Sequence, residues 1–541
     1  TSEWTISSAA ISNMTPGALE NEYRFYNSIW HPDLSVPTSS SEAKDVVIQS
    51  GSATISTSFD CSNLNIYSGG TLELSQGKGI TVVDAIRNNG LLKLKSDSIC
   101  SASIMANGDY SFSLQYDLFV VGGATNPWHL ISSPVKNQSI NNFVTSSDNN
   151  IQTSNTTQNY ALAVFNTSTD LWNYYHNGSG TSPNISASIA GDFVMANGYS
   201  MLRSTSGDVS FIGEYMTESE AITLTADKWN LVGNPYPSFI NVNSLVDAND
   251  NIISLNTGSL NDAYEAIYLW DATAEEYKII NQISSATYLN PGQGFYVLAD
   301  SDGGDFSFNE TMQSHQSGDW FERRIVGSPT MNLIADFGGS QSITEVKYIE
   351  GATIGLDQGY DAGRFTGETA NYFISSKFMD ASFFELNLAL QCIPSFNTIE
   401  SDPIPINVFA IEETQITFSL ELGNFPEDTF VFIEDVLLDT STRLDVEGSS
   451  YTTIVNEDTN NSERFFLHTQ TSTIGIEVLD ENSISIFTSD QGQFLNVVGG
   501  VTEKSSFRLF DSLGRIVFES ELRKSNKFRL PILPKAVYIV Q

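Results

Sequence analysis

The sequence predicts an all-β protein built from several modules, and three observations support this. Short runs of alternating apolar and polar residues recur along the chain, separated by Gly, Asn, Asp and Ser, as in strands joined by turns. The composition is 40% hydrophobic and only 16% charged, which is typical of globular rather than disordered proteins. The length of 541 residues is several times that of one domain, so we expect three to five domains.

The charge is strongly acidic, with 25 Lys and Arg against 64 Asp and Glu and a formal net charge of −39. Nucleic acids and anionic membranes bind basic surfaces, so we expect neither as a partner. Such acidity favours solubility in a salty medium, where charges are screened beyond roughly 8–10 Å. The alternative is divalent cation binding in acidic loops.

The apolar runs and the cysteines limit the class further. No run approaches the roughly 20 residues of a membrane helix, so we expect no transmembrane helix. Cys61, Cys100 and Cys392 allow at most one disulfide, Cys61 to Cys100, if those stretches stack. The sequence starts at Thr1 without a basic and apolar leader, which fits a cytosolic protein or a processed exported one.

The first module is predicted to be a β-solenoid-like segment over 46–122, with residues 1–45 wrapping over its first rung. Short extended segments alternate with turns at Gly51, Gly69-Gly70, Gly77 and Asn88-Asn89-Gly90. The rungs are short and similar, so each buries its apolar face only against the next. The edge of a β-sandwich is the alternative interpretation.

An internal duplication follows. Trp128-His-Leu-Ile-Ser-Ser-Pro134 matches Trp229-Asn-Leu-Val-Gly-Asn-Pro235 at an offset of 229 − 128 = 101, and three further landmarks recur in the same order. These further pairs are Val164-Phe165-Asn166 with Leu269-Trp270-Asp271, Asn197-Gly198-Tyr199 with Gln293-Gly294-Phe295, and Val209-Ser-Phe211 with Phe306-Ser-Phe308. We expect two tandem β-sandwich repeats, 123–222 and 223–322.

The remaining chain also has the pattern of strands. Residues 323–482 contain alternating runs such as Met331-Asn-Leu-Ile-Ala335 and Ile416-Thr-Phe-Ser-Leu420, without long amphipathic helices, and predict a jelly-roll-like module. Residues 483–541 contain short strands and turns that predict a small Ig-like β-sandwich.

The terminal module carries a resemblance. Phe507-Arg-Leu-Phe-Asp-Ser-Leu-Gly-Arg-Ile-Val517, followed by Leu530-Pro-Ile-Leu-Pro-Lys-Ala-Val-Tyr-Ile-Val540, resembles the C-terminal type A sorting domain of Bacteroidota type IX secretion cargo. The family motif falls on Phe510, Asp511, Gly514, Arg515, Leu533, Pro534 and Tyr538. The sequence departs from the family at Lys535-Ala536, where glycine is usual, and in lacking a basic final strand after Gln541.

The body resembles the large surface proteins that carry this tail, in Trp229–Pro237, Gly355–Ala362 and Asn424–Pro426. The resemblance implies export by the type IX translocon after signal-peptide removal, with outer-membrane shuttle or attachment components as partners, and an extracellular or cell-surface location. It also implies O-glycan acceptors at Ser98 and Ser512, within Asp97-Ser98-Ile99 and Asp511-Ser512-Leu513.

The search for catalytic and metal motifs gives little. The five histidines form no HExxH or His-x-His motif, and GxSxG, P-loop and Rossmann fingerprints are absent from the sequence. We therefore expect a non-enzymatic protein, although a glycosidase needs only two carboxylates. Calcium is the cofactor that acidic loops favour. Its candidate ligands are Asp357 with Asp361, Asp300, Asp302 and Asp305, and the Asp247–Asn251 run. Ordinary turns explain the same residues.

Two functions remain in competition. The first is a structural or adhesive surface protein, whose exposed strand edges could self-associate. The second is a carbohydrate-binding surface protein, with or without glycoside hydrolase activity, which recognises surface glycans through exposed coplanar aromatic rings. Its candidate rings are Trp172, Tyr174 and Tyr175, or Tyr264 and Tyr268.

Overall fold

The predicted all-β class is confirmed by a computed structural model, in which 55% of residues are in strands and 6% in helices. The structure describes residues 23–31, 36–37, 45–106, 112–123, 127–178, 180, 182–216, 218–272, 276–317, 328–365, 371–378, 386–394, 403–411, 413–425, 429–455, 464–471, 484–489, 494–499, 506–511, 513–521, 527–531, 533 and 538–540. Among these residues, no helix is long and apolar enough to cross a membrane.

The chain divides into two compact units. The first comprises residues 1–325 and 358–362, and the second comprises 326–357 and 363–541.

The first unit begins with a β-solenoid, as predicted. Its strands are β1 (Tyr23–Asn27), β2 (Trp30–His31), β3 (Asp45–Ile55), β4 (Phe59–Ile66), β5 (Gly70–Leu74), β6 (Gly79–Asn88), β7 (Leu91–Lys95), β8 (Ser103–Ala106) and β9 (Ser113–Val120). Two parallel series run through it, β3-β4-β6-β8 and β3-β5-β7-β9. Strand β1 also pairs in parallel with β3, so a rung precedes the segment that begins at residue 46.

Side chains at equivalent positions of successive rungs stack to form the solenoid core. Ile55, Leu74, Leu94 and Tyr116 are successive partners across four strands, and all four are fully buried. They are 19, 20 and 22 residues apart (74 − 55, 94 − 74, 116 − 94), which gives the rung length. Burying one such leucine contributes roughly 1.5–3 kcal/mol. The stacked apolar side chains therefore stabilise the register of the rungs.

One corner of the solenoid requires glycine. A Cβ on Gly90 would lie 2.2 Å from the carbonyl oxygen of Gly70, and a Cβ on Gly70 would lie 2.7 Å from that of Ile48. Any side chain here would push the rungs apart, so the Asn-Asn-Gly and Gly-Gly turns are packing requirements as well as chain reversals.

The Cys61–Cys100 disulfide that the sequence allows is not formed, because both cysteines are free. Cys61 points into the solenoid, where it is buried and lies across from Val82 of the next rung. Cys100 follows β7 in the turn that contacts Gly77. Burial raises the pKa of the Cys61 thiol to about 12, so this residue is an inert core group.

Two repeats with the same strand order follow the solenoid. Their strands are β10 (His129–Ile131), β11 (Asn159–Asn166), β12 (Leu171–His176), β13 (Ile185–Ser186), β14 (Tyr199–Met201), β15 (Gly207–Glu214), β16 (Glu220–Leu224), β17 (Trp229–Gly233), β18 (Phe239–Asn241), β19 (Ile267–Asp271), β20 (Glu276–Ile280), β21 (Tyr288–Leu289), β22 (Gly294–Leu298), β23 (Gly304–Phe308) and β24 (Gln313–Ser314). The short helices are α1 (Ile140–Thr145) and α2 (Ile252–Asn256).

The strand orders are β10-β14-β11-β12 in the first repeat and β17-β22-β19-β20 in the second. In each repeat, the strand that precedes these four strands in the sequence pairs with the strand that follows them. Strand β9 pairs with β15, and β16 pairs with β23. The sequence duplication is therefore matched strand by strand, and in this pairing pattern β9 belongs with the first repeat as well as with the solenoid.

The two repeats are joined by equivalent hydrogen bonds. The N–H of Ser132 donates to the oxygen of Gly292, and the N–H of Gly233 donates to that of Ala196, each at 2.9 Å. Ser132 corresponds to Gly233, and Ala196 corresponds to Gly292. The two hydrogen bonds therefore join equivalent positions, with donor and acceptor repeats interchanged. The repeats are thus related by a local pseudo-two-fold arrangement.

The second unit contains a folded mixed sheet of eleven strands. They are β25 (Thr330–Asp336), β26 (Gln341–Ile349), β27 (Ala362–Gly363), β28 (Tyr372–Ser376), β29 (Leu388–Pro394), β30 (Ile404–Ala410), β31 (Thr414–Gly423), β32 (Thr429–Asp435), β33 (Thr440–Arg443), β34 (Tyr451–Val455) and β35 (Phe465–Thr471). Alternate residues point to one core that includes Leu333, Val408, Phe418 and Phe465. Most neighbours are antiparallel, while β26 and β29 are parallel.

The terminal module consists of two three-stranded sheets. Their strands are β36 (Ile484–Ser489), β37 (Phe494–Gly499), β38 (Ser506–Phe510), β39 (Ile516–Glu521), β40 (Lys527–Arg529) and β41 (Ile539–Val540). The orders are β36-β37-β40 and β39-β38-β41. Leu495 of the first sheet and Phe507 of the second share one small core, which places the two sheets face to face.

Candidate functional sites

The turn between β38 and β39 is tightly hydrogen-bonded around Asp511. The Oδ1 atom of Asp511 accepts from the N–H groups of Leu513 (3.0 Å) and Arg515 (2.9 Å). The Nε of Arg515 donates to Oδ2 at 2.7 Å. Gly514 is in the left-handed region, with φ of 76°, which a glycine adopts without strain. The Asp-x-x-Gly-Arg spacing therefore makes a specific, self-contained turn.

These contacts keep Asp511 ionised. The hydrogen bonds from Arg515, first that of its backbone N–H and then those of its side chain, hold the pKa of Asp511 below its ordinary value. The Arg515 side chain is 74% exposed, so it presents a positive group to solvent although it is paired.

Apolar side chains surround this turn on the outside of the sheet. Phe510 lies across from Ile516 on one side and Ile539 on the other. The exposed fractions are 77% for Leu513, 50% for Ile516 and 61% for Ile539. An exposed apolar row beside a guanidinium group is a feature of recognition surfaces.

The other residues of the sorting motif are only partly described. Leu533 and Tyr538 are half-buried, whereas Pro534 lies outside the described residues. Of the two glycosylation candidates, Ser98 is exposed, in a turn where Asp97 Oδ1 accepts from the N–H groups of Ile99 (2.8 Å) and Cys100 (2.9 Å). Ser512 also lies outside the described residues.

The calcium candidates form no coordination set. Asp357 Oδ2 accepts from the N–H of Thr353 at 2.6 Å, and Asp361 is fully buried. Asp305 Oδ1 accepts from the hydroxyl of Thr223 at 2.7 Å, while Asp300 and Asp302 lie in the turn before β23. Over the described ranges, no three His, Cys, Asp or Glu side chains gather as a metal site.

The aromatic candidates separate into buried and accessible rings. Tyr175 and Tyr268 are buried in the core and cannot meet a ligand. Trp172 is half-buried and packs edge-on against Phe165 at 5.3 Å between ring centroids, and Tyr264 packs against Trp229. Tyr174 is the candidate that borders an open cavity.

This cavity, called here the Trp128 pocket, has a volume of about 260 Å³ and lies in the first repeat. Tyr174 and Trp128 meet at its wall with their ring centroids 6.1 Å apart and their planes at 69°. Its lining consists of Trp128, Gln152, Ser154, Thr157, Asn159, Tyr160, Ala161, Tyr174 and Leu202. In the sequence, Trp128 is recognisable only as a landmark of the repeat. Tyr160 is not predicted as a site residue, because neither residue belongs to a motif that indicates binding.

Buried histidine contacts in the described chain do not form a catalytic triad. His315 Nδ1 lies 2.7 Å from the hydroxyl of Ser103, which is a serine–imidazole pair by distance. Its Nε2 contacts the hydroxyl of Thr81 at 3.1 Å, in the place where a triad has a carboxylate. Ser103 is fully buried, so no substrate could reach it in this arrangement. Burial lowers the pKa of His315 to about 4, and the ring is a neutral packing group.

The chain matches a protein family described as a domain of unknown function (DUF8693) over residues 17–468. The match includes the solenoid, both repeats and the sheet of the second unit up to β35, and it stops before β36. No curated protein and no solved structure matches the chain. Because the matched residues make up well over half of the sequence, the chain belongs to the DUF8693 family.

Proposed function

We propose that this protein is a structural or adhesive protein of the cell surface, exported by a type IX secretion system that reads the terminal module. The observation that carries the proposal is the Asp511–Arg515 turn, where the residues that resemble the sorting motif also make one compact hydrogen-bonded structure. Export and outer-membrane attachment components are the partners that follow, and the location is extracellular or on the cell surface.

The organisation of the terminal module supports this assignment. The module has its own two sheets and its own small core around Leu495 and Phe507. The family match ends at residue 468, before the module begins. An address module that serves different cargo would have its own sheets and core in this way.

An exposed apolar hairpin tip in the body supports a role in contact. Val436, Leu437 and Leu438 are 50%, 69% and 54% exposed, although they are consecutive and strongly apolar. Asp435 holds the tip, since its Oδ1 accepts from the N–H groups of Leu437 (3.1 Å) and Leu438 (3.2 Å). Asp435 is itself fixed by a two-point ion pair with Arg464. A fixed apolar tip of this kind favours adhesion to another molecule.

Localisation after removal of residues 483–541 tests the export proposal. In a host with a type IX system, the full chain should be cleaved by protease added to intact cells, whereas the shortened chain should remain protected in the periplasm. A fusion of residues 483–541 to a periplasmic reporter should place the reporter on the cell surface. This fusion tests the terminal module even if the shortened chain is unstable. Unchanged surface exposure of the shortened chain, or a reporter that stays inside, would overturn the proposal.

A further inference from the structure

We propose that the Trp128 pocket binds one ring of a neutral saccharide. The inference is independent of the route of export, because it rests on the walls of the pocket and on a comparison of the two repeats. It assigns the ligand class of a site in the body, whereas the proposed function concerns the terminal module.

The size of the pocket suits one sugar ring. Its volume of about 260 Å³ lies just below the roughly 300–1,000 Å³ of sites for drug-sized ligands. Trp128 and Tyr174 meet edge to face, so one ring can form the floor for an apolar ligand face while the other forms a side wall. Tyr160 adds a third, largely buried ring.

The polar groups of the lining are all uncharged. Gln152, Ser154, Thr157 and Asn159 supply amides and hydroxyls, which both donate and accept hydrogen bonds. Among the described residues, no Asp, Glu, Lys, Arg or His lines the pocket, in a chain with a net charge of −39. An ion would lack a counter-charge here, whereas a polyol with one apolar face would match both kinds of wall.

One lining residue is not fully hydrogen-bonded. The Oδ1 atom of Asn159 is buried and accepts no hydrogen bond from the described residues. A buried carbonyl without a donor is unfavourable. A ligand hydroxyl could supply the donor if the amide turns toward the pocket.

The second repeat places a different tyrosine against the equivalent tryptophan. Trp229, the counterpart of Trp128, packs against Tyr268 at 4.7 Å between ring centroids. Tyr268 lies across from Tyr296 in the second repeat, as Ala163 lies across from Ser200 in the first, so Ala163 is the counterpart of Tyr268. The tyrosine that packs against the tryptophan is therefore Tyr174 in the first repeat and Tyr268 in the second.

The register also explains the position of Tyr174. Ala163 of β11 pairs with Tyr174 of β12, and Tyr268 of β19 pairs with Ile279 of β20. The tyrosine of each pair therefore lies on β12 in the first repeat and on β19, the counterpart of β11, in the second. The tyrosine that packs against the tryptophan thus lies on different strands in the two repeats, and in the first repeat it forms part of the pocket wall.

Saccharide binding by the full-length protein tests this inference. Saturation-transfer NMR and calorimetry would use glucose, galactose, mannose, xylose, N-acetylglucosamine and their β-linked disaccharides. At least one neutral sugar should bind, and Trp128→Ala and Tyr174→Ala should each weaken the affinity by about tenfold or more, as the loss of a ring contact implies. Trp172→Ala is the matched control, because Trp172 lies on the same strand as Tyr174 but does not line the pocket.

Each variant would be accepted only if its circular dichroism and melting curve match a folded protein, and the two pocket variants test the site independently. Absence of binding by every sugar, or equal binding by the wild type and both pocket variants, would overturn the assignment. Loss of binding in Trp172→Ala alone would also overturn it, since the ligand would then lie elsewhere. Surface exposure of the protein should be the same in all three variants.

Discussion

Asn149 and Asn256 occupy equivalent places in the two repeats, and each braces the last strand of its repeat at a serine. Asn149 Oδ1 accepts from the N–H of Ser210 at 2.8 Å, and Asn256 Oδ1 accepts from the N–H of Ser307 at 2.7 Å. Each Nδ2 donates back to the oxygen of the same serine. The side-chain amide therefore replaces a neighbouring strand, and the duplication extends to individual hydrogen bonds.

The first prediction concerns this brace. Asn149→Ala removes the hydrogen bonds that the part-buried N–H and C=O of Ser210 make to its side chain, and should destabilise the first repeat by about 1–3 kcal/mol. Hydrogen exchange of the Ser210 amide should accelerate in proportion. Asn142→Ala, at an exposed position in α1, is the control and should change neither quantity by more than about 0.5 kcal/mol. Unchanged exchange in Asn149→Ala would show that the brace does not stabilise β15.

The second prediction concerns a buried carboxylate between the solenoid and the first repeat. Asp117, 2% exposed, lies 3.0 Å from the Nζ of Lys93 and 2.9 Å from that of Lys95. Asp117→Ala should cost about 1–3 kcal/mol, because it leaves the partly buried donors of Gln115, Ser210 and the two lysines without their shared acceptor. Asp208→Ala removes only the more exposed partner of Lys95 and should cost less than about 1 kcal/mol. Equal melting temperatures for the two variants would contradict this account.

The same carboxylate predicts a dependence on acid. Hydrogen bonds from Gln115, Lys95 and Ser210 outweigh burial and lower the pKa of Asp117. The stabilisation is therefore complete above the unfolded pKa near 3.8, and it is lost as the pH falls through the lower folded value. Acid titration followed by circular dichroism should show a smaller loss of stability in Asp117→Asn than in the wild type over that window.

The third prediction concerns His315. Its folded pKa of about 4 lies below the ordinary 6.5, because burial disfavours the charged ring. The folded state thus binds fewer protons, and stability should fall as the pH drops from 6.5 toward 4, by up to about 3 kcal/mol from this residue. His315→Gln keeps a polar side chain at this position but cannot titrate. The difference in melting temperature between the wild type and His315→Gln should therefore change between pH 6.5 and pH 4. A constant difference would exclude His315 as the titrating group.

The elements that the sequence predicts best are those set by local alternation and repetition. The rungs from Ile55 to Tyr116 and the repeat landmarks at Trp128 and Trp229 are periodic features, and the structure has them in register. The Trp128 pocket could not be predicted in this way. Its lining comes from residues that are far apart in the sequence, from Trp128 to Leu202. The difference between the repeats, with Ala163 at the position of Tyr268, appears only when strand pairing aligns the two.

The acidic loops show a limit of prediction from composition. Asp305 and Asp357 satisfy a threonine hydroxyl and a backbone N–H, which is the ordinary work of aspartate in turns. Composition cannot distinguish this from cation binding, because both need carboxylates in flexible loops. The distinction depends on whether several oxygens point to one place, which only the three-dimensional arrangement determines.

Surface exposure of paired arginine variants in the terminal module is the most direct test of the central claim. Arg515 closes the Asp511 turn, whereas Arg508 of β38 makes an exposed ion pair with Glu519 at 2.7 Å in the same sheet. In a host with a type IX system, Arg515→Ala should lower the fraction of protein that external protease can reach and raise the periplasmic fraction, while Arg508→Ala should behave like the wild type. Equal exposure of the two variants at the wild-type level would contradict the proposal that the Asp511–Arg515 turn directs export.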